Sequence, residues 1–194
     1  MLVAIDVDST LHDYWEQFSA AAMALHGVDL PYADQHQWSV DSLTREQVKA
    51  VVSATHDDER IAEAVAYDGA AAVIAGWKDA GHDILITTHR RAAAYAATAA
   101  WLEAQGIPFD QLRCGYEKVD HCREVGVGLL IDDAPENLEN ALAQGIAVAT
   151  IRHPWNASLL RATPEITYAD DWSRLGRALA PFLGPTHKGD RPVT

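Results

Sequence analysis

Short apolar runs alternate with helix-length amphipathic segments along most of the chain. Apolar runs bounded by polar residues or glycine predict buried strands, here at residues 2–7, 84–87, 129–131, 146–151 and, more weakly, 112–114. The intervening patterns predict helices at residues 70–80, 92–105, 119–125 and 135–144, with Gly81, Gly106 and Gly145 at three helix ends. Strands that alternate with helices of this length favour parallel βαβ units and therefore an α/β fold.

The connection after the first strand is much longer than the others. It contains roughly 60 residues before the next predicted core helix, whereas a plain crossover needs about a dozen. Helical patterns at 14–26, 44–54 and 59–66, with a loop-like stretch at 29–41, predict an inserted helical cap over residues 12–67. We expect this cap to lie above the carboxyl edge of the sheet, as a lid on a core formed by residues 1–11 and 68–183. The Gly-, Pro- and charge-rich residues 184–194 predict a disordered tail.

Composition narrows the range of partners. The chain has 194 residues with 48% hydrophobic content, which suits one globular domain with an insertion. Its 15 Lys+Arg against 28 Asp+Glu give a net charge of −13, which disfavours nucleic-acid polymers and anionic membranes as partners. Cys114 and Cys122 fit reduced thiols, and no signal-peptide pattern or membrane-length apolar run is evident. We therefore expect a cytoplasmic protein with a small-molecule partner, while the oligomeric state stays open.

Pairs of acids follow two of the predicted strands. Asp6 and Asp8 come directly after the first strand, and Asp132 and Asp133 follow the strand at residues 129–131. In open α/β sheets the carboxyl ends of the strands are where ligands bind. Burying like charges costs several kcal/mol unless a cation or a shared proton relieves them. An Asx-type turn at the first pair and a helix N-cap at the second are the structural alternatives.

Four segments, in order, resemble the motifs of the haloacid dehalogenase-like (HAD) superfamily. They are Asp6-x-Asp8-x-Thr10, the apolar strand ending in Thr87, Lys118, and the apolar strand ending in Asp132-Asp133. The resemblance covers about residues 1–167. It implies a Rossmann-like three-layer α/β/α sandwich with a parallel sheet and a small helical C1-type cap. It also implies a phosphatase that acts through an aspartyl-phosphate, because Asp8 argues against a dehalogenase, which lacks that second acid.

The resemblance assigns roles to the acids. Asp6 is implied as the nucleophile, and Asp8 as the acid and base that protonates the leaving alcohol and then activates water. That second role requires a neutral Asp8 beside a charged Asp6. Mg²⁺ is implied as the cofactor, with Asp6, the backbone carbonyl of Asp8, Asp132 and Asp133 as its ligands.

Two further residues are implied as phosphoryl ligands, Thr87 as a hydrogen-bond donor and Lys118 as a positive charge. A β-favouring strand residue and a solvated cation at a helix end are the respective alternatives. The chain departs from many members of the superfamily in having Ser9 where they have Gly.

Among members with such a cap, the chain is most similar to the 5′(3′)-deoxyribonucleotidase family. The similarity lies in residues 129–133, the pair Thr87-Thr88, and Tyr14, eight residues after the proposed nucleophile. It implies Thr88 as a second phosphate donor, and Tyr14 and Trp38 as rings that stack on a nucleobase.

Two other substrate contacts rest on single segments. The loop His153-Pro154-Trp155-Asn156 resembles a loop of bacterial members, so Asn156 is expected at the substrate, and Arg90 follows the strand that ends in the threonines. The expected substrate is a (deoxy)nucleoside monophosphate. The alternatives are a phosphatase for a sugar phosphate or another small phosphorylated metabolite, a non-catalytic binding domain, and cap aromatics that only form the core of the cap.

Overall fold

The computed structural model describes residues 1–184 and contains a parallel sheet between two layers of helices. The strands within these residues are β1 (Leu2–Ile5), β2 (Asp83–Thr88), β3 (Gln111–Cys114), β4 (Leu129–Ile131), β5 (Ala147–Ile151) and β6 (Thr167–Ala169). They are arranged in the order β3-β2-β1-β4-β5-β6, and every neighbouring pair is parallel. The predicted α/β fold with a parallel sheet is confirmed. Strand β6, at the edge, is an addition that the sequence analysis did not predict.

The helices follow the predicted pattern closely up to residue 143. They are α1 (Tyr14–His26), α2 (Arg45–Thr55), α3 (Asp58–Glu63), α4 (Ala70–Asp79), α5 (Tyr95–Ala104), α6 (Lys118–Glu124), α7 (Pro135–Ala143), α8 (Ala157–Ala162) and α9 (Trp172–Leu179). Short 3₁₀ turns occupy Tyr32–Asp34 and Ala92–Ala94. Gly81, Gly106 and Gly145 all have positive φ after their helices, as expected of residues that end a helix. Helices α8 and α9 were not predicted.

The sheet is buried on both faces because its side chains alternate between two clusters. Val3 and Ile5 of β1 pack into one cluster with Trp101 of α5 and Leu175 of α9. Ala4, which points to the other face, packs into a second cluster together with residues of α6, α7 and α8. Continuous apolar strands are what a doubly covered parallel sheet requires. The three-layer α/β/α arrangement follows from this alternation.

A third cluster lies in the insertion between β1 and α4. Its buried members are Phe18, Ala22, Leu30, Leu43 and Val51. We call residues 12–67 the cap; its exact division from the core stays a prediction.

The two ends of the cap meet at the core. His12 pairs with Ala66 in an isolated antiparallel bridge, and the Tyr67 amide donates to the Leu11 carbonyl at 2.8 Å. The chain therefore enters and leaves the cap at one place. At the other end of the chain, the predicted tail at residues 184–194 lies outside the described residues except for Gly184. Over residues 1–184, no helix has both the length and the apolar character that crossing a bilayer requires.

The strand order places a crevice at the carboxyl ends of β1 and β4. Connections run from β1 outward to β2 and β3 on one side, and from β4 outward to β5 and β6 on the other. At such a switch point the adjacent connections diverge and leave a gap above the sheet. Asp6 and Asp132 each follow one of these two central strands, so the fold brings the acid pairs together there.

Candidate active site

Three buried carboxylates form the floor of the crevice. The Asp6 amide donates to the Ile131 carbonyl at 2.9 Å, and the Asp132 amide donates to the Ala149 carbonyl at 3.2 Å, which continues the pairing of β1, β4 and β5 by one residue. One carboxylate oxygen from each of Asp6, Asp132 and Asp133 lies within 4.8 Å of the others. Residues far apart in sequence thus provide a compact cluster of hard oxygen donors.

Lys118, the first residue of α6, is the cation of this cluster. Its Nζ donates to Asp132 Oδ2 at 2.8 Å and also to the carboxylate of Asp6. The side chain is only 2% exposed. Burial would lower the pKa of the Lys118 amine, but the two carboxylates outweigh it and raise the pKa above its ordinary value. Lys118 is therefore charged, and the alternative of a solvated helix-end cation is wrong.

The cluster is nevertheless short of positive charge. Burial raises the pKa of Asp6 to about 7, with Lys118 opposing this shift and the charges of Asp132 and Asp8 adding to it. Burial also raises the pKa of Asp133 well above its ordinary value, and the charges of Asp6 and Asp132 contribute further. A divalent cation would relieve both shifts. Because carboxylate oxygens are the ligands that Mg²⁺ prefers, the donor set fits this ion.

The second acid pair is not a simple helix cap. Asp132 Oδ1 accepts from the Ala134 amide at 2.9 Å and from Asn137 Nδ2 at 3.0 Å. The N-cap residue of α7 is Ala134, and no side chain caps that helix. Asp133 instead accepts a hydrogen bond from the indole Nε1 of Trp155 at 3.1 Å. Asp132 therefore bonds the start of α7 and also lines the crevice, whereas the Asp133 carboxylate lines the crevice without bonding the helix terminus.

Asp8 has very different surroundings. Arg90 donates to both of its oxygens, from Nη2 at 2.6 Å and from Nε at 3.2 Å. His12 Nε2 lies 3.0 Å from Oδ1, and His56 Nε2, from the end of the cap helix α2, lies 3.4 Å from Oδ2. Burial acts to raise the pKa of Asp8, but Arg90, His12 and His56 outweigh it and hold the pKa well below its ordinary value.

This environment corrects two expectations. Asp8 was expected to be neutral beside a charged Asp6, but Arg90, His12 and His56 together outweigh burial and hold the pKa of Asp8 well below its ordinary value. Arg90 was expected at the substrate, yet its side chain is 1% exposed and its donors are used by Asp8 and by Thr98 Oγ1 at 3.2 Å. The next residue, Arg91, is the one that lines the cavity.

The two threonines at the end of β2 are both fully buried but differ in their hydrogen bonding. The Thr87 hydroxyl has no hydrogen-bond partner within residues 1–184, so its donor is unused. The Thr88 hydroxyl donates to Asp8 Oδ2 at 3.4 Å and accepts from the Arg90 amide. Thr87 is thus the better placed of the two to bind a phosphoryl oxygen.

A cavity of about 630 Å³ opens above the acids, between core and cap. On the core side it is lined by charged groups, among them Asp6, Asp8 and Lys118. On the cap side its lining is mostly apolar and aromatic, and it includes Tyr14 and Trp38. Tyr14 and Trp38 therefore face the same cavity as Asp6, which the nucleotide hypothesis required of them.

Comparison with known proteins places this fold. No protein-family model and no curated protein matches the sequence. Among solved structures, a haloacid dehalogenase-like hydrolase from Streptococcus pneumoniae superposes with a TM-score of 0.68 at 18% identity, over 93% of this chain and 97% of the other. The chain has the haloacid dehalogenase-like fold.

Two further neighbours share this HAD-like fold. A predicted phosphoglycolate phosphatase from Haemophilus somnus matches with a TM-score of 0.65 at 15% identity, over 93% of this chain and 97% of the other. CbbY from Rhodobacter sphaeroides, solved in complex with phosphate, matches with a TM-score of 0.61 at 20% identity, over 90% and 96%. A mutant of CbbY was solved with xylulose-(1,5)bisphosphate.

The side chain of Asn156 has a structural role, because it bonds backbone groups around the loop after β5. It is fully buried, and its Nδ2 donates to the carbonyls of Asp133 and Ile151 at 3.2 and 3.0 Å. Its Oδ1 accepts from the His153 amide at 2.8 Å. The expectation that Asn156 contacts substrate is therefore wrong, because its polar atoms are already used to brace the loop after β5 against Asp133.

Several residues of this site escaped the sequence analysis. His12 lies four residues after Asp8, a spacing that could have drawn attention to it. Trp155 lies in the loop at residues 153–156 that the sequence analysis named, but the contact was assigned there to Asn156. His56 and Asn137 carry no such signal, and their contacts with the acids become visible only in the folded structure.

Proposed function

We propose that this protein hydrolyses phosphomonoesters of small metabolites, with Asp6 as the nucleophile and Mg²⁺ as the cofactor. The observation that carries the proposal is the buried cluster of Asp6, Asp132 and Asp133 around Lys118, at the floor of a cavity large enough for a small metabolite. The HAD-like fold supports it, because the neighbours that were solved with ligands hold phosphate or a sugar bisphosphate.

In this proposal the reaction has two steps at Asp6. A carboxylate oxygen of Asp6 attacks phosphorus, the bond to the ester oxygen breaks, and the alcohol leaves with a proton. Water then attacks the phosphorus of the aspartyl-phosphate, which releases inorganic phosphate and restores the carboxylate. Lys118 and the free hydroxyl of Thr87 hold the phosphoryl oxygens. Asp6, Asp132, Asp133 and the Asp8 carbonyl would hold Mg²⁺, which would supply positive charge to screen the repulsion between the nucleophile and the phosphate.

Asp8 is the residue that moves protons in this scheme. It is ionised in the arrangement described above, and an ionised carboxylate is the form that accepts a proton from the attacking water. The first step needs the protonated form of Asp8. Because the pKa of Asp8 is held well below its ordinary value, Asp8 would take that proton from solvent when substrate binds and pass it to the alcohol oxygen, and the proton from the attacking water would return to solvent after the second step. Arg90 stabilises the ionised form and so favours the water-activating half of the cycle.

We propose a sugar phosphate or similar small phosphorylated metabolite as the substrate class, in line with the ligands of the neighbours. A (deoxy)nucleoside monophosphate is a second candidate, favoured by one observation. Tyr14 and Trp38 line the cavity that contains Asp6, and an adjoining cavity of about 360 Å³ also contains Trp15 and Trp155. Aromatic rings in such a place could stack on a nucleobase.

The test is release of inorganic phosphate, with Mg²⁺, from a panel of sugar phosphates and nucleoside monophosphates. Asp6→Asn keeps the side-chain shape and removes the nucleophile, so we expect a fall in kcat on the order of 10⁴-fold. Asp79→Asn, at an exposed acid on α4, serves as the matched control and should retain activity. Acid-quenched wild-type protein should contain a phosphorylated Asp6 peptide. Phosphate release that survives in Asp6→Asn would contradict the proposal.

A further inference from the structure

Trp155 joins the acid cluster to the cap. It lies in the loop after β5 and is 5% exposed. Its indole Nε1 donates to Asp133 Oδ2 at 3.1 Å. The backbone of the same loop is tied to Asp133 through Asn156, whose Nδ2 donates to the Asp133 carbonyl at 3.2 Å. The indole is therefore fixed relative to the carboxylate that it contacts.

Asp133 depends on this contact more than Asp132 depends on any one partner. Asp132 accepts hydrogen bonds from Lys118, the Ala134 amide and Asn137. Within residues 1–184, the indole of Trp155 provides the hydrogen bond to the Asp133 carboxylate, and no second donor is seen. A carboxylate with a single donor can rotate about its side-chain torsions once that donor is removed. The orientation of Asp133 is thus set by Trp155.

The ring of Trp155 is itself held in place by His153. The two rings are parallel, with centroids 4.4 Å apart and an interplanar angle of 1°. His153 Nε2 lies 2.7 Å from the Ser9 carbonyl, which can only accept, so Nε2 carries the proton. Nδ1 therefore accepts from the Tyr32 hydroxyl at 2.7 Å. These two hydrogen bonds link a cap residue, Tyr32, to the loop that carries Asp8.

Cap side chains pack directly on the other parts of the same indole. The ring centroids of Trp15, Tyr32 and Trp38 lie 5.6, 5.7 and 6.2 Å from that of Trp155. All three belong to the cap, and Trp155 belongs to the core. One buried side chain therefore contacts both the docked cap and a candidate metal ligand.

We propose that Trp155 is a positioning residue that orients Asp133 for Mg²⁺ and couples metal binding to docking of the cap, an inference that rests on the proposed function. If the cap holds the indole in place, the indole holds Asp133 in the orientation that binds metal. Thermodynamic linkage then requires the reverse: bound metal stabilises the docked cap to the same extent.

The first measurement is direct binding of Mg²⁺ to the full chain without substrate, by isothermal titration calorimetry. Trp155→Phe keeps an aromatic ring and removes the N–H donor, so we expect Kd to rise about 10- to 100-fold, as for other partners of metal ligands. Trp77→Phe is the matched control. It also replaces a buried indole by a phenyl ring, but Trp77 lies on α4 in the core cluster and packs on Trp172, so Kd should stay unchanged.

A second variant separates loss of the donor from loss of packing. A benzothienyl-alanine at position 155 replaces the indole N–H by sulfur at nearly the same size. We expect it to weaken Mg²⁺ binding as Trp155→Phe does, while its free energy of unfolding without metal stays close to that of the wild type.

Hydrogen exchange tests the coupling to the cap. Mg²⁺ should slow amide exchange in α1 of the wild-type protein, and this slowing should shrink in both variants at position 155. Equal Kd values in the wild type and these variants would overturn the inference. Wild-type protein that binds no Mg²⁺ would overturn both the metal site and the inference. Metal binding that weakens as expected, in a protein that hydrolyses no phosphate ester, would support the inference and overturn the proposed function.

Discussion

Asp6 and Asp8 lie two residues apart, yet the two sides of the site that they represent differ in their balance of charge. On the Asp6 side, three buried carboxylates lie together, and the amine of Lys118 donates to two of them. On the Asp8 side, one carboxylate faces the guanidinium of Arg90 and two imidazole rings. The pKa of Asp6 is raised and the pKa of Asp8 is lowered as a result.

The difference shows where an added cation would be stabilised. A divalent ion beside Asp6 would relieve like-charge repulsion, whereas beside the Asp8 side chain it would meet Arg90. This agrees with the proposal that Asp8 would offer the metal its backbone carbonyl and not its carboxylate. The two acids therefore differ in pKa because different charged groups surround them, although they lie only two residues apart.

The largest effect is expected from Arg90→Met. Removal of the guanidinium leaves the Asp8 carboxylate buried without its main partner, which should lower the free energy of unfolding by about 3–5 kcal/mol at neutral pH. Because the pKa of folded Asp8 is lowered, its stabilising contribution is present above its unfolded pKa and is lost as pH falls through the folded value. Urea unfolding should therefore show the deficit narrowing below pH about 4. A loss of unfolding free energy that stays the same at every pH would contradict the conclusion that Arg90 stabilises ionised Asp8.

His153 contacts neither the Asp6 cluster nor the Asp8 carboxylate, and it should affect the pH dependence of stability in a different pH range. His153 makes no ion pair within residues 1–184, and burial lowers its pKa from 6.5 to about 4. Only the unfolded chain gains a proton at His153 between these values, so stability falls as pH falls from 6.5 to 4, by about 3 kcal/mol in all. His153→Gln can keep both hydrogen bonds but cannot titrate. The difference in unfolding free energy between wild type and His153→Gln should shrink over this range; a constant difference would contradict the prediction.

Added Mg²⁺ should stabilise the Asp6 side. At a concentration 100 times its Kd, binding to the folded state alone raises the free energy of unfolding by about 2.7 kcal/mol. Denaturant unfolding with and without Mg²⁺ at equal ionic strength measures this. Asp132→Asn should lose the increase, and Asp79→Asn should keep it. An equal increase with NaCl would indicate general screening instead of a site.

The smallest effect is expected on the cap side of the cavity, at Trp38. If a nucleobase stacks there, Trp38→Ala should weaken binding by about 1–3 kcal/mol, seen as a higher KM for nucleotides with kcat retained. The KM for sugar phosphates should change little, because they have no aromatic base to stack. Equal KM changes for both classes would mean that Trp38 supports the cap and does not select a base.

Local patterns in the sequence located the strand ends that carry the acids. The apolar run at Leu129–Ile131 is the observed strand β4, and the residues after β1 and β4 meet because these two strands are neighbours in the sheet. The strand pattern predicted only that Asp6, Asp132 and Asp133 follow strand ends, and the resemblance to the superfamily motifs assigned them to one metal site. Lys118 could be placed only by its resemblance to a motif, since nothing local indicates that an amine at a helix start turns inward.

The remaining errors arise where tertiary contacts decide. Arg90 follows a buried strand, and its sequence neighbours do not indicate whether it faces the cavity or the protein interior. Asn156 was assigned to substrate, but its amide is used up by the backbone around it. Strand β6 and helix α9 were missed because β6 is short and only partly buried, and α9 follows it closely.

The closed base of the cap has a consequence for how proteins of this shape can diversify. Leu11 and Tyr67 are joined by a backbone hydrogen bond, so the chain between them begins and ends at one point of the core. The entropy of closing such a loop changes by only about 0.6 kcal/mol for each doubling of its length. Changes in length between these two residues should therefore cost the core little free energy. Exchange of the whole cap would cost more, because Ile61 and Ala64 belong to the core cluster and His12 and His56 lie beside Asp8.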